Sequence, residues 1–370
     1  MATLGLIFSN IHDKEIFEVT KNRTIASAPI GGRYRLIDFT LSNMVNNGIS
    51  HIGVVTKNNY QSLMDHVGSG KEWDLARKNG GLVILPPYGA SQDLYNSRLE
   101  ALKSIISFIK FSHADYIVLA DCYQVCNIDY RPIFKQHFET KADITCVYRE
   151  SNITADDYSP VVMLEVDNEK RIVGMNIQKS FIGKAKVSID TWIIKKELLE
   201  KLVEDAISRN LKSFNRDILR ENLSSLKICG YQFKGYFGNI SSLKSYYQVN
   251  MNLLKTNIRD ELFNTPNRAI FTKIRDSAPT KYGEKSKIVN SLIADGCIIN
   301  GTVENSVIFR GCKVGLGAVV KNSILMQGSL VSEDTHLEYV VADKNVRFVN
   351  EKQLQGNLRK LLYVEKDGIR

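Results

Sequence analysis

The sequence predicts an α/β domain with a mixed, mostly parallel sheet, followed by a β-helix. Three observations predict it. Short apolar runs alternate with helically spaced apolar residues over the first part of the chain. The central run is apolar throughout, as a strand buried on both faces requires. The last third repeats one short pattern, at Asn290-Ser-Leu-Ile, Asn305-Ser-Val-Ile, Asn322-Ser-Ile-Leu and Glu338-Tyr-Val-Val.

Taken in order, Leu4 to Phe8 reads as the first strand. Ile37, Leu41, Met44 and Val45 then share one face at helical spacing, and Gly48 follows where a helix C-cap belongs. His51 to Thr56 is the next strand. Leu99, Leu102, Ile105, Ile106 and Ile109 mark one amphipathic helix, which leads into the strand Tyr116 to Ala120. Such alternation gives a parallel sheet covered by helices. Ligands of these folds bind beyond the carboxyl ends of the strands, which directs attention to residues 9–35 and 120–130.

Residues 257–285 are polar and irregular, with Pro266 and Pro279, and read as a linker. Beyond them Val303, Ile308, Val314, Val319, Leu325, Val331 and Leu337 recur every five or six positions. Neither an α-helix nor a flat strand has that period, whereas a solenoid of short strands does. Gly296, Gly301, Gly311, Gly315, Gly317 and Gly328 suit its corners. The expected division is 1–256, a linker over 257–285, and 286–370.

With 370 residues, 44% apolar and 24% charged, the composition is that of an ordinary globular protein. No apolar run reaches the length of a membrane span, and Met1 to Phe8 has no basic export-type region, so a cytoplasmic protein is expected. The net charge of +9 favours anionic partners such as nucleotides and sugar phosphates. No basic run is interleaved with aromatics, so nucleic acid is not an expected partner. Six scattered cysteines have no metal-type spacing and read as free thiols.

Pro29-Ile-Gly-Gly-Arg-Tyr-Arg-Leu-Ile-Asp-Phe-Thr-Leu-Ser-Asn43 resembles the sugar-nucleotide pyrophosphorylases, and in particular bacterial ADP-glucose pyrophosphorylase, whose motif reads P-x-G-G-K/R-Y/F-R-I/L-I-D-F. Tyr236-Phe-Gly-Asn-Ile-Ser-Ser-Leu243 is similar to that family's Y-W-x-D-V-G-T-I, and Tyr247-Gln-Val-Asn-Met-Asn-Leu-Leu254 to its W/Y-x-A-N-M-D-L-L. Ile293 to Cys297 and Ile308 to Gly311 resemble its C-terminal repeats. The resemblance implies a Rossmann-like nucleotide-diphospho-sugar transferase domain, a left-handed parallel β-helix, and tetramers. It also implies a reaction: ATP and glucose 1-phosphate give ADP-glucose and pyrophosphate. That chemistry requires a triphosphate cradle, cations to neutralise it, and carboxylates to hold magnesium.

Several of those parts are altered. Against the family's A-G-G-x-G-T-R-L-x-P-L-T, this chain has Ser9-Asn-Ile-His-Asp-Lys-Glu-Ile-Phe-Glu-Val-Thr20. Asn10, Ile11 and Asp13 stand at glycine positions, where backbone N–H groups must approach phosphate closely. Glu15 replaces the loop arginine and would repel a triphosphate. Ile25-Ala26 replaces a K-P pair, and Asn239 a metal-binding aspartate. Asp121 sits near the family's S-G-D-H and reads as a polar residue closing a strand in preference to a surviving metal ligand.

Other parts persist. The resemblance assigns Lys179 to the sugar phosphate and Ser188 to the sugar pocket, with Asp190 where a glycine is common. Arg33 and Arg35 match a basic pair used for phosphorylated effectors, and Gly31-Gly32 is expected to offer free N–H groups at a helix N-terminus.

This pattern resembles the GlgD-type branch. It implies a subunit with no intact catalytic set and no cofactor or metal of its own, which regulates a catalytic partner that handles ATP and magnesium, within a hetero-oligomeric tetramer. The chain forming homo-oligomers alone is a further possibility. Two other readings stay open: a competent pyrophosphorylase with an altered cradle, and a sugar-phosphate sensor without catalysis.

Overall fold

The computed structural model describes residues 1–87, 95–154, 161–178 and 181–370. Lys179 lies outside the described residues. Strand β1 (Thr3–Phe8) pairs in parallel with β2 (His51–Val55), which pairs in parallel with β3 (Gly81–Leu85). On its other side β1 pairs in parallel with β4 (Tyr116–Asp121). The sheet continues through β5 (Ile144–Ile153), β6 (Val161–Val166), β7 (Ile172–Gln178), β8 (Gly183–Lys195) and β9 (Ile228–Gln232). Here the pairing changes: β8 runs antiparallel to β4, β5 and β6, while β9 is parallel to β5. The sheet is thus mixed, with four parallel-paired strands from the N-terminal third of the chain and one further parallel pair, β5 with β9.

Both faces are covered, because side chains alternate along each strand. Leu4, Leu6 and Phe8 join one apolar cluster, and Ile7, Ile52 and Val54 another. Helix α1 (Leu36–Asn46) crosses β1 so closely that a Cβ on Gly5 would stand 2.5 Å from the Met44 sulfur. Gly48 follows α1 with φ +78°, as the C-terminal glycine predicts. The helix expected over residues 99–109 is divided into α2 (Arg98–Ser104) and α3 (Ile106–Phe111), since Ile105 leaves helical geometry at φ −110° and ψ 11°. Its apolar face is still buried at Leu99, Leu102 and Ile109.

Helix α4 (Leu243–Asn252) is followed by α5 (Thr256–Phe263), which takes up the start of the segment read as a linker. The β-helix begins within that segment too, since Lys281–Tyr282 pairs with Ile298–Ile299. Its three faces are five-stranded parallel sheets.

The solenoid explains its own repeat. Asn290, Asn305 and Asn322 adopt left-handed φ of 41°, 45° and 46° at the corners, a conformation that asparagine tolerates. The following serines stack, with the Ser291 hydroxyl accepting from Ser306 N–H at 3.1 Å and Ser306 from Ser323 N–H at 3.1 Å. Register places Lys321 beside Glu338, so the fourth repeat begins at Tyr339, one residue later than its sequence suggests. Tyr339 carries the corner's φ of 54°. Likewise Val320, not Val319, lines the interior, between Val303 and Leu337.

One solenoid face packs on the α/β domain. Val307, Ile324 and Val341 point outward into a cluster with Tyr246, Tyr247 and Leu253 of the α4 region, while Ile308, Leu325 and Ala342 point inward. All six cysteines are free and buried.

Candidate functional site

The loop after β1 closes on its own side chains. The Asn10 amide donates to Asp13 at 2.7 Å and to the Asn58 carbonyl at 3.2 Å, and its carbonyl accepts from Lys57 N–H at 3.1 Å. Asp13 also accepts from the backbone N–H of buried Ile25 at 2.8 Å. Burial raises the Asp13 carboxyl to about 6 despite these donors. Ile11 packs against the main core. The side chains of Asn10 and Asp13, at two of the glycine positions, therefore tie the loop to Asn58, Lys57 and Ile25, and Ile11, at a third, ties it to the core.

His12 holds this loop to the sheet. Its Nε2 lies 2.8 Å from Asp121 at the end of β4, and its Nδ1 lies 3.0 Å from Glu15. Burial alone would lower its pKa, but the hydrogen bonds and charges of Asp121 and Glu15 together lift it to about 10. The two carboxylates thus favour the imidazolium form of His12, while Arg98 Nη2 lies 3.3 Å from its Nε2.

Asp121 closes its strand, but it is fully buried and paired rather than solvated. Arg98, the first residue of α2, donates through Nε to both Asp121 oxygens at 3.0 and 3.1 Å. Its Nη2 lies 2.5 Å from Asp190. The guanidinium also sits 5.0 Å from the centre of the Trp192 ring. Burial would raise the Asp121 pKa; Arg98 and His12 outweigh it and hold the carboxylate below its ordinary range. Burial raises Asp190 even against Arg98, and the charge of Asp121 adds to the rise.

A β-bulge aims Asp190 at this cluster. The register of β8 on β5 shifts between Ser188 and Trp192, and Asp190 takes φ of 50°. Its N–H donates to the Ser188 hydroxyl at 3.2 Å, and Tyr123 donates to its carboxylate at 2.9 Å. Glu15, Ser188, Asp190 and Asn239 all line one cavity of about 280 Å³, with His12, Tyr123 and Arg149. The fold thus joins sequence-predicted residues from three separate segments.

The resemblance implies magnesium at this end of the sheet, and the donors present do not fit it. Both Asp121 oxygens already face cations, and Asn239 offers a neutral amide. A divalent ion takes several anionic or carbonyl oxygens at short range and is repelled by a guanidinium in its place. Sequence reasoning missed Arg98 and His12. The signal for Arg98 was a charged residue placed directly at the start of an apolar helix face.

Arg33 and Arg35 lie elsewhere, at the seam with the β-helix. The two glycines before them form the tip of a hairpin, in which Pro29–Ile30 pairs with Tyr34–Arg35, and not a helix N-terminus. Gly31 N–H donates to the Asn250 side chain at 3.0 Å, so it is not open to an anion. Gly32, at φ 85°, touches the solenoid, where a Cβ would meet the Ile308 carbonyl at 3.5 Å. Arg35 is buried and donates to the Ser62 hydroxyl at 2.9 Å, while Arg33 is exposed. Both line a narrow cleft with Lys273, Arg275, Arg310 and Lys344. Burial, with Arg35 and Arg23 nearby, lowers the Lys344 amine to about 7.

Among the described residues no helix is long and apolar enough to cross a membrane. Residues 14–256 match the nucleotidyl transferase family, and residues 277–360 match the GlmU-like C-terminal hexapeptide family. The chain is 32% identical to the glycogen biosynthesis protein GlgD of Bacillus subtilis, over 98% of this chain and 95% of that protein. It is 35% identical to GlgD of Geobacillus stearothermophilus, over 86% and 82%. Glucose-1-phosphate adenylyltransferase of Bacillus mycoides is 31% identical over 87% and 86%. A single fold spanning both parts, with relatives aligned across nearly all of it, means that the chain belongs to the nucleotidyl transferase family, in its GlgD and glucose-1-phosphate adenylyltransferase group.

Proposed function

We propose that this chain serves glycogen biosynthesis as a GlgD-type subunit of glucose-1-phosphate adenylyltransferase, acting in the cytoplasm within a hetero-oligomer. It has no working triphosphate and metal site of its own, and it regulates a catalytic subunit that supplies ATP and magnesium chemistry. The single observation that carries this is the occupation of the phosphate and metal end of the sheet by the chain's own side chains. Asn10 and Asp13 close the loop, and Arg98 and His12 pair with Asp121. Regulation then proceeds by a shift in the partner's conformational population through the shared interface.

The cleft at Arg33, Arg35 and Lys344 supports a role for a phosphorylated effector or sugar phosphate, because clustered cations attract such anions and a lysine near neutrality gains charge when one binds. The retained cavity beside Ser188 and Asn239 supports a sugar phosphate as the second ligand.

The test is pyrophosphate release from ATP and glucose 1-phosphate by this chain, by a catalytic homologue, and by the two mixed. The expected result is silence from the chain and a mixture that exceeds the homologue alone. Turnover by the chain alone at an ordinary enzymatic rate overturns the proposal.

A further inference from the structure

Two carboxylates from neighbouring antiparallel strands meet in the sheet's interior. Asp121 arrives at the end of β4, and Asp190 is turned toward it by the β8 bulge. Neither is solvated, since Asp121 is fully buried and Asp190 is 7% exposed. Like charges at such a site demand relief, by a proton on one carboxyl or by a cation between the two. Proteins of this chemistry commonly meet that demand with a divalent ion bound by hard oxygen donors.

Here the demand is met internally. One guanidinium contacts both carboxylates, with Nη2 placed 2.5 Å from an oxygen of each. A planar fork is well suited to bridging in this way, and the guanidinium carbon lies 5.0 Å from the centre of the Trp192 ring. His12 adds a second cation to Asp121 at 2.8 Å.

The site nonetheless keeps the marks of a larger oxygen set. Asp190 Oδ1 and Asn239 Oδ1 are both buried without a hydrogen-bond partner, and both residues line the same cavity. His12, Asp121 and Asp190 also place one potential ligand atom each within 4.8 Å of one another. With Arg98 present, the oxygens of Asp121 and one oxygen of Asp190 are taken. Without it, the two carboxylates would be left with only His12 beside them, next to the cavity that Asp190 and Asn239 line.

We propose that Arg98 is a built-in substitute for a divalent cation. It holds Asp121 and Asp190 together, so that the cavity beside them is formed without metal, and removing its charge exposes a divalent-cation site. This deepens the subunit reading by naming the group that displaces the metal, and it rests on that reading only for the cavity's relation to catalysis.

Manganese is the probe, with free Mn²⁺ followed by electron paramagnetic resonance. The proteins are the wild type, Arg98→Gln, Asp121→Asn, and Arg98→Gln combined with Asp121→Asn, each checked for folding by circular dichroism. The expected result is that Arg98→Gln takes up Mn²⁺ at least tenfold more tightly than wild type, and that the added Asp121→Asn abolishes the gain. Two results overturn the proposal: Mn²⁺ held by the wild type and lost on Asp121→Asn, or a folded Arg98→Gln protein that binds no more than wild type. Should Arg98→Gln fail to fold, the wild-type melting temperature decides. It is expected to be the same in EDTA and in excess magnesium, and a rise that EDTA reverses overturns the proposal. Pyrophosphate release tests the subunit reading, whereas manganese retention tests Arg98, so failure of one is distinguishable from failure of the other.

Discussion

Arg23 and Asp343, which are 320 residues apart in sequence, form a buried ion pair in which Nη2 donates to both carboxylate oxygens, at 2.8 and 2.9 Å. The pair ties the segment after the N-terminal loop to the far end of the β-helix. Asp343 also accepts from Lys344 N–H at 2.7 Å and from the Tyr363 hydroxyl at 2.9 Å. Its lone pairs are therefore well satisfied, which buried ions require.

Breaking one side of this pair strands the other charge. Asp343→Ala is expected to lower stability by about 3–5 kcal/mol, the usual cost of an uncompensated buried ion. The double change Arg23→Met with Asp343→Leu should cost less than Asp343→Ala alone, because no charge is left behind. Chemical denaturation of the variants checks this. A double variant at least as unstable as Asp343→Ala would show that packing, and not charge pairing, dominates here.

His12 gives the loop a pH dependence with a defined sign. Its folded pKa of about 10 lies above the ordinary 6.5. The folded protein therefore holds this proton more tightly than the unfolded chain, and the contribution is complete below pH 6.5 and is lost as the pH rises toward 10. His12→Gln should flatten the fall in stability across that window. Melting curves of the two proteins from pH 6 to 10 provide the measurement, and parallel pH profiles would remove His12 as the cause.

Lys344 predicts proton uptake in the cleft. Its amine is lowered to about 7, first by burial and then by the nearby cations. A bound anion favours the charged form, so above neutrality binding brings a proton with it and affinity falls with rising pH. Sulfate, which does not titrate there, is the suitable probe. Calorimetry in buffers of different ionisation enthalpy should detect uptake by the wild type and none by Lys344→Met. Equal uptake by both would assign the proton elsewhere.

The α/β domain was legible because its strands and helices carry strong local periodicity: Leu4 to Phe8, Tyr116 to Ala120 and the α1 face all form as their patterns predict. The β-helix was legible from its Asn-Ser corners, but its fourth turn was displaced by one residue. Tyr339 occupies a left-handed corner that asparagine fills elsewhere, so the local signal pointed to the wrong neighbour. The hairpin at Gly31-Gly32 was hidden for a similar reason, since glycines before a helix also suit a helix N-terminus.

The site was legible only in part. Asn10, Asp13, Glu15 and Asn239 could be named as replacements, because each changes the charge or size that phosphate chemistry needs. What replaced the missing interactions was not visible. Arg98 and His12 come from segments remote from Asp121 and acquire meaning only through pairing across the sheet. The bulge that turns Asp190 inward is a register feature, and strand composition does not encode it.

The seam cleft has a consequence for the molecule in solution. Arg33, Arg35, Lys273, Arg275, Arg310 and Lys344 converge there from the hairpin, the connecting segment and the solenoid. Like charges gathered at a domain boundary push its walls apart, and mobile counter-ions weaken that push. Added salt should therefore tighten this boundary, and multivalent anions should do so most, whereas dilute buffer favours a looser contact between the two halves. Of these cations only Arg310 pairs with a carboxylate among the described residues, Asp295 at 2.8 Å, so the expected outcome is a protein whose internal geometry follows the ionic strength of its surroundings before any specific ligand is present.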